Sequence, residues 1–180
     1  MDKVKTGKSL WLVLCILILA LPLRWMLAVT ISIAVHEYCH YLAVRLCGGH
    51  IYAMEISAFG LNMRTSSLSP GKELFCALAG PVGGIILFVL SIRMPRLALC
   101  ALIHSAYNLI PLYPMDGGRA VQNLLLILFP RYGTRIFLWL QRVLGAFIVV
   151  VCLWACFVQR LGMIPLILAC GVLAKSEFLK

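Results

Sequence analysis

Long apolar stretches separated by short polar connections dominate this chain. The runs fall at about 9–23, 25–46, 72–92, 96–113, 134–158 and 161–175. Several approach the ~20 residues that a helix needs to cross the hydrocarbon core of a bilayer, and the first and last are short. They predict an all-α polytopic membrane protein of about six transmembrane helices, folded as a single domain over 1–180. Two connections are longer. Residues 48–71, GGHIYAMEISAFGLNMRTSSLSPG, open with paired glycines and then alternate, Ile51, Ala53 and Glu55 against Tyr52, Met54 and Ile56. With its turn-rich end, this segment predicts a short membrane-associated β-hairpin between the second and third helices. Residues 111–133 carry prolines and glycines that break the helix, and a short apolar helix over 118–129 then stops at Pro130.

Composition strengthens the membrane reading. The chain is 63% hydrophobic and 12% charged, against about 45–50% and about 25% for a soluble domain. This excludes a soluble enzyme and leaves no room for a sizeable extramembrane domain. The formal net charge of +10 is spread singly between apolar runs, without the clustered basic patch of a nucleic-acid binder. Counted by side, Lys3, Lys5, Lys8, Arg45, Arg64, Lys72, Arg119, Arg131, Arg135, Lys175 and Lys180 share one face. Arg24, Arg93, Arg96 and Arg160 share the other, and Arg142 falls within a span. The positive-inside rule then puts both termini in the cytoplasm.

The N-terminus has a basic stub and an apolar run like a signal peptide. Pro22, Arg24 and Trp25 follow where a cleavage site would be, so an uncleaved first span is expected. The eight cysteines lie mostly within apolar runs and form no CxxC pair, which fits small packing residues. Cys152 and Cys156 share a helix face, an arrangement that permits a metal or redox pair without arguing for one.

Against this background, TISIAVHEYCHYLAVR (30–45) stands out. His36 and His40 lie four residues apart on one helix face, about 6 Å along the axis, a spacing that lets two imidazoles hold one Zn²⁺. Glu37, turned about 100° away, can take a proton from a water activated by that metal as it attacks a carbonyl. An ionisable group in a span costs roughly 3 kcal/mol. The bland alternative is three hydrogen-bonding residues that pack helices together. A catalytic zinc needs a third protein ligand, and the chain has six acidic residues. Asp2 and Glu177 are terminal, Glu55 lies in the predicted hairpin and Glu73 opens the third span. Asp116 remains, at a broken helix end of matching depth, with Gly117 and Gly118 allowing a tight turn; the alternative is that it only caps the short helix.

HEYCHYLAVR together with NLIPLYPMDGGR (108–119) resembles the site-2 protease family of intramembrane zinc metalloproteases. That family pairs H-E-x-x-H in one span with N-x-x-P-x-x-P-[apolar]-D-G in a later one, here Asn108, Pro111, Pro114, Met115, Asp116 and Gly117. ALAGPVGGIILF (77–88) is similar to the family's intervening A-G-P segment, although Gly84 stands where Asn is frequent. Gly80 and Gly84 make a small-xxx-small face instead. The resemblance covers a catalytic core of about 28–130, with the C-terminal helices at 131–180, and is closest to the stage IV sporulation protein FB subgroup, without its CBS domain.

The resemblance implies one zinc ion per chain on His36, His40 and Asp116, with Glu37 as catalytic base. It implies that Asn108 positions substrate or stabilises the oxyanion, and that the hairpin at 48–71 receives substrate as an added strand. The implied partners are the lipid bilayer and a membrane-associated protein substrate, such as a pro-sigma factor, an anti-sigma factor or a signal-peptide remnant. No nucleic acid is implied; a homo-oligomer or an inhibitory membrane partner would be compatible. The implied location is a bacterial cytoplasmic membrane, with the active site toward the cytoplasm. The competing reading is a metal-binding membrane protein without protease activity, either a transporter or an inactive client-binding relative. A transporter would carry polar residues along a whole path and often internal repeats, whereas here one polar cluster lies at one depth. His104, four residues before Asn108, suits either a group orienting the site or a packing histidine. His50 reads as a loop residue, Arg119 as an edge charge, and the tryptophans as interfacial or packing aromatics.

Overall fold

The computed structural model describes the backbone of residues 3–6, 22–57 and 60–157 and the side chains of 22–53 and 65–157. Apart from residues 22 and 23, the apolar runs at 9–23 and 161–175 lie outside the described residues. The described elements are β1 (Lys3–Thr6), α1 (Leu23–Leu46), β2 (Ile51–Ser57), β3 (Gly60–Thr65), α2 (Pro70–Leu90), α3 (Pro95–Asn108), α4 (Asp116–Leu128) and α5 (Gly133–Phe157). Three of these helices, α1, α2 and α5, are long and apolar enough to cross a membrane.

Helix α1 ends in a way its sequence dictates. Gly48 takes a left-handed φ of 77°, which glycine adopts without the Cβ penalty. Its N–H bonds to the Arg45 carbonyl and that of Gly49 to the Val44 carbonyl, the paired bonds of a Schellman motif. The chain then turns directly into β2, which pairs antiparallel with β3 and carries a register shift between Ile51 and Ala53. Tyr52 is exposed while Ile51 and Ala53 are half-buried, as alternation requires. The N-terminal residues, read from sequence only as a basic stub, pair parallel with β2, giving the order β1-β2-β3.

Helix α2 is the hub, packing on α1, α3 and α4, while α5 packs on α4. Its glycines set the spacing, but they divide between neighbours rather than forming one small face. A Cβ at Gly83 would run into the Cys39 side chain on α1, and one at Gly84 into Ser105 Oγ on α3. The fourth apolar run, expected over 96–113, is helical only to Asn108. Its fourteen residues rise about 21 Å, short of a ~30 Å hydrocarbon core. Proline disfavours helix at the residue before it and removes a donor, so Pro111 and Pro114 stop the helix there and leave 109–115 as a loop.

The distribution of polarity is that of an integral membrane protein. Many buried positions are small or polar, including Ser32, His36, His40, Ser105 and Asp116, while Leu27, Ile86, Val89, Phe147 and Trp154 stand exposed. A surface so rich in large apolar side chains suits lipid rather than water.

Candidate metal centre

His36 and His40 project from the middle of α1 toward α2 and α4, and both are buried. Asp116 is the first residue of α4, following Met115 at the N-cap. Its carboxylate turns inward, toward both histidines of α1. Asp116 Oδ2 lies 3.0 Å from His36 Nε2 and 3.0 Å from His40 Nε2, and the two imidazole nitrogens are 3.1 Å apart. Two motifs 80 residues apart in the chain thus converge on one point. Among the described residues these three form the group able to hold a metal ion.

Three elements hold the convergence. His40 Nδ1 donates to the Cys76 carbonyl of α2 at 2.7 Å, which fixes the tautomer and leaves Nε2 lone-pair-bearing, the usual arrangement behind a metal-bound histidine. Gly80 supplies the space: a Cβ there would press on His40 Nε2 and stand 2.7 Å from His36 Nε2. Gly117 and Gly118 serve close approach rather than a tight turn. Both are ordinary helical residues of α4. A Cβ on Gly117 would come 2.6 Å from the Ile110 carbonyl oxygen, and one on Gly118 2.5 Å from the Tyr113 nitrogen. Only glycines let α4 lie against the 109–115 loop.

The triangle does not work as a set of hydrogen bonds. Each Nε2 carries at most one proton and a carboxylate oxygen carries none, so two of the three contacts at most can be hydrogen bonds. His40 has already placed its proton on Nδ1, which leaves its Nε2 with nothing to donate unless the ring is cationic. A cation between the three atoms resolves the conflict. Ligands at 2.0–2.2 Å in tetrahedral array stand about 3.4 Å apart, close to the observed spacing. His36, His40 and Asp116 therefore fit a small divalent ion.

Glu37 is half-buried on the neighbouring face of α1. Asn108 ends α3, half-buried, and its Nδ2 donates to the His104 carbonyl at 3.0 Å. His104 packs its ring edge-on to His36, centroids 4.6 Å apart.

Two residues near the site make contacts that the sequence did not specify. Arg119, read as an edge charge, ion-pairs with Glu73 of α2 at 3.2 Å and reaches Asp116 Oδ1 at 3.9 Å. It sits behind the oxygen that does not face the histidines. Gln141 of α5 accepts from the Tyr113 N–H at 2.9 Å and donates to the Pro111 carbonyl at 2.8 Å, stapling the proline loop that delivers Asp116. An uncharged amide inside an apolar run was the available signal. The side chain of Glu55 lies outside the described ones, and His50 is exposed, its backbone N–H donating to Ser66 Oγ.

No protein-family model matches the chain, and no curated protein sequence matches it. Its fold is similar to that of a solved site-2 protease from Methanocaldococcus jannaschii, with a TM-score of 0.69 and 20% identity, covering 97% of this chain and 88% of that one. The helices, sheet and polar centre described above are thus arranged on the fold of a site-2 protease.

Proposed function

We propose that this protein is an intramembrane zinc metalloendopeptidase that cuts a peptide bond in or near the membrane segment of a protein substrate. The single observation that carries the reading is the buried triangle of His36, His40 and Asp116, in which hydrogen bonds account for at most two of the three contacts and a divalent ion would engage all three atoms. The likeness of fold to a site-2 protease supports it. His36, His40 and Asp116 would hold one ion per chain. When bound, zinc supplies a Lewis acid that makes water nucleophilic near neutral pH. Glu37 takes the proton from the attacking water and delivers it to the departing amine.

Apolar packing of α1, α2 and α3 around the site keeps bulk water out, and Asn108 binds the substrate backbone beside it. A helical substrate must unwind before its carbonyls are accessible. The sheet offers a template for the extended form: β1 covers one edge of β2, and β3 remains as the longer outer strand. The substrate class is a membrane-associated protein such as a pro-sigma factor, an anti-sigma factor or a signal-peptide remnant. The motif spellings support the sporulation-type subgroup, and the Lys/Arg asymmetry supports cytoplasmic termini with an active site toward the cytoplasm, in a bacterial membrane.

The test uses protein purified in detergent and a reporter with a single membrane segment tagged on both sides. The wild type is expected to carry one zinc per chain and to cleave, and a chelator to stop cleavage. Glu37→Gln is expected to keep the zinc and lose cleavage. Robust cleavage by Glu37→Gln, or by metal-free protein, refutes the mechanism.

A further inference from the structure

His104 belongs to neither motif, yet it joins the two residues that matter on either side of it. Its ring meets His36 edge to face, with centroids 4.6 Å apart and planes at 78°. Its Nε2 lies 3.3 Å from Asn108 Nδ2, and its backbone carbonyl accepts from the same Nδ2 at 3.0 Å. These two contacts settle which way the Asn108 amide faces. A backbone carbonyl only accepts, so the atom opposite it must be the amide nitrogen. An amide N–H only donates, so His104 Nε2 must be the acceptor and the ring proton sits on Nδ1. Both N–H groups of Asn108 are thereby taken by His104, and Oδ1 is the atom left to act.

We propose that His104 is a positioning residue that locks the Asn108 amide with Oδ1 presented to the substrate, so that Asn108 accepts a hydrogen bond from a substrate backbone N–H. This rests on the metalloprotease reading above. The competing role for Asn108, donation to a developing oxyanion, requires an N–H that His104 already holds. The ring–ring contact with His36 ties the lock to the metal centre, so the acceptor is held at a set place relative to the ligands. An extended peptide presents backbone N–H groups along its length, which makes this contact indifferent to side-chain identity. Asn108 and His104 would therefore contribute to binding peptide backbone without selecting sequence.

The experiment uses full-length protein loaded with Co²⁺, whose visible bands report ligation, and two hydroxamates as probes. Acetohydroxamate offers its chelating oxygens and the single hydroxamate N–H; an N-acyl dipeptide hydroxamate adds backbone N–H groups of a peptide. His104→Phe keeps a ring against His36 and removes the acceptor. It is expected to bind cobalt with unchanged bands and acetohydroxamate with unchanged affinity, while the dipeptide probe weakens about tenfold, the worth of one well-placed hydrogen bond. His104→Gln, which restores an acceptor, should recover most of the loss. Asn108→Ala should lose at least as much as His104→Phe, in which the residue-104 carbonyl still holds one Asn108 N–H, and the double variant no more than Asn108→Ala.

Equal affinity of His104→Phe and wild type for the dipeptide probe overturns the proposal and leaves the metalloprotease reading standing. Equal weakening of both probes, or altered cobalt bands, also overturns it, because His104 then acts on the metal. Failure of the wild type to bind cobalt or either hydroxamate overturns both readings together.

Discussion

The substitution Gly80→Ala probes the metal centre from outside the ligand set. The added Cβ would stand 2.7 Å from His36 Nε2, where ordinary contact begins near 3.4 Å, and closer still to His40 Nε2. His36 Nε2 must therefore retreat by about 0.7 Å, several times the ±0.2 Å within which metal–ligand distances are held. The rings have little freedom to give way. His40 is tied to the Cys76 carbonyl at 2.7 Å, and His36 is 2% exposed with His104 against its ring. Moving α2 outward instead would open its contacts with α1, at about 1–3 kcal/mol for overpacking of one methyl. Either response separates the ligands.

Zinc affinity, measured in detergent by competition with a chromophoric chelator, should fall at least tenfold, with helical circular dichroism unchanged. Two controls separate cause from packing. Gly71→Ala meets nothing within 4 Å and should behave as wild type. Gly83→Ala presses on Cys39 of the same α1–α2 interface but not on the ligand nitrogens, so it should lower thermal stability and retain stoichiometric zinc. Wild-type zinc affinity in Gly80→Ala would refute the placement of the ion between these nitrogens.

Other substitutions test how the site is held. Gln141→Leu removes both bonds that staple the proline loop; each is worth about 0.5–1.5 kcal/mol. A lower unfolding temperature and faster nicking between Ile110 and Met115 by an added soluble protease are expected, and unchanged nicking would show the loop to be held by other contacts. Arg119→Gln removes the cation behind Asp116 Oδ1 while leaving all three ligands in place. Zinc affinity should drop between a few-fold and tenfold, at the low end for groups supporting a ligand, because Arg119 is part-exposed and its charge is screened. No change in affinity would reduce Arg119 to a partner of Glu73 alone.

The candidate ligands were legible in sequence because of where they occur. A carboxylate or imidazole in an apolar run pays for burial only by finding partners, and six acidic residues in 180 leave few candidates. His36, His40 and Asp116 therefore stood out before any three-dimensional information. The breaking of the fourth run was also foreseeable from Pro111 and Pro114, but its position was not. Hydropathy carries through Leu112, whereas the backbone stops obeying helix geometry at Asn108, where the side chain back-bonds to the His104 carbonyl and the proline two residues beyond Leu109 ends the ladder.

What remained hidden depends on which helix faces meet, a property that one-dimensional periodicity cannot carry in a membrane. In a soluble helix the buried face declares itself by being apolar. Here the lipid-facing side is as apolar as any core, so the contrast that would mark the interface disappears. Gly80 and Gly84 looked like one packing stripe, yet one faces the histidines of α1 and the other Ser105 of α3. Arg119 looked peripheral because its partners Glu73 and Asp116 lie on two different helices. His104 could not be told from a packing histidine until its ring was seen against His36 and its Nε2 against Asn108. The candidate ligands stand out from the bilayer by polarity, whereas the residues packed around them are distinguished only by what they touch. Substitutions at Gly80, Arg119, Gln141 and His104 should accordingly alter metal affinity, loop integrity or probe binding with all three ligands still in the chain.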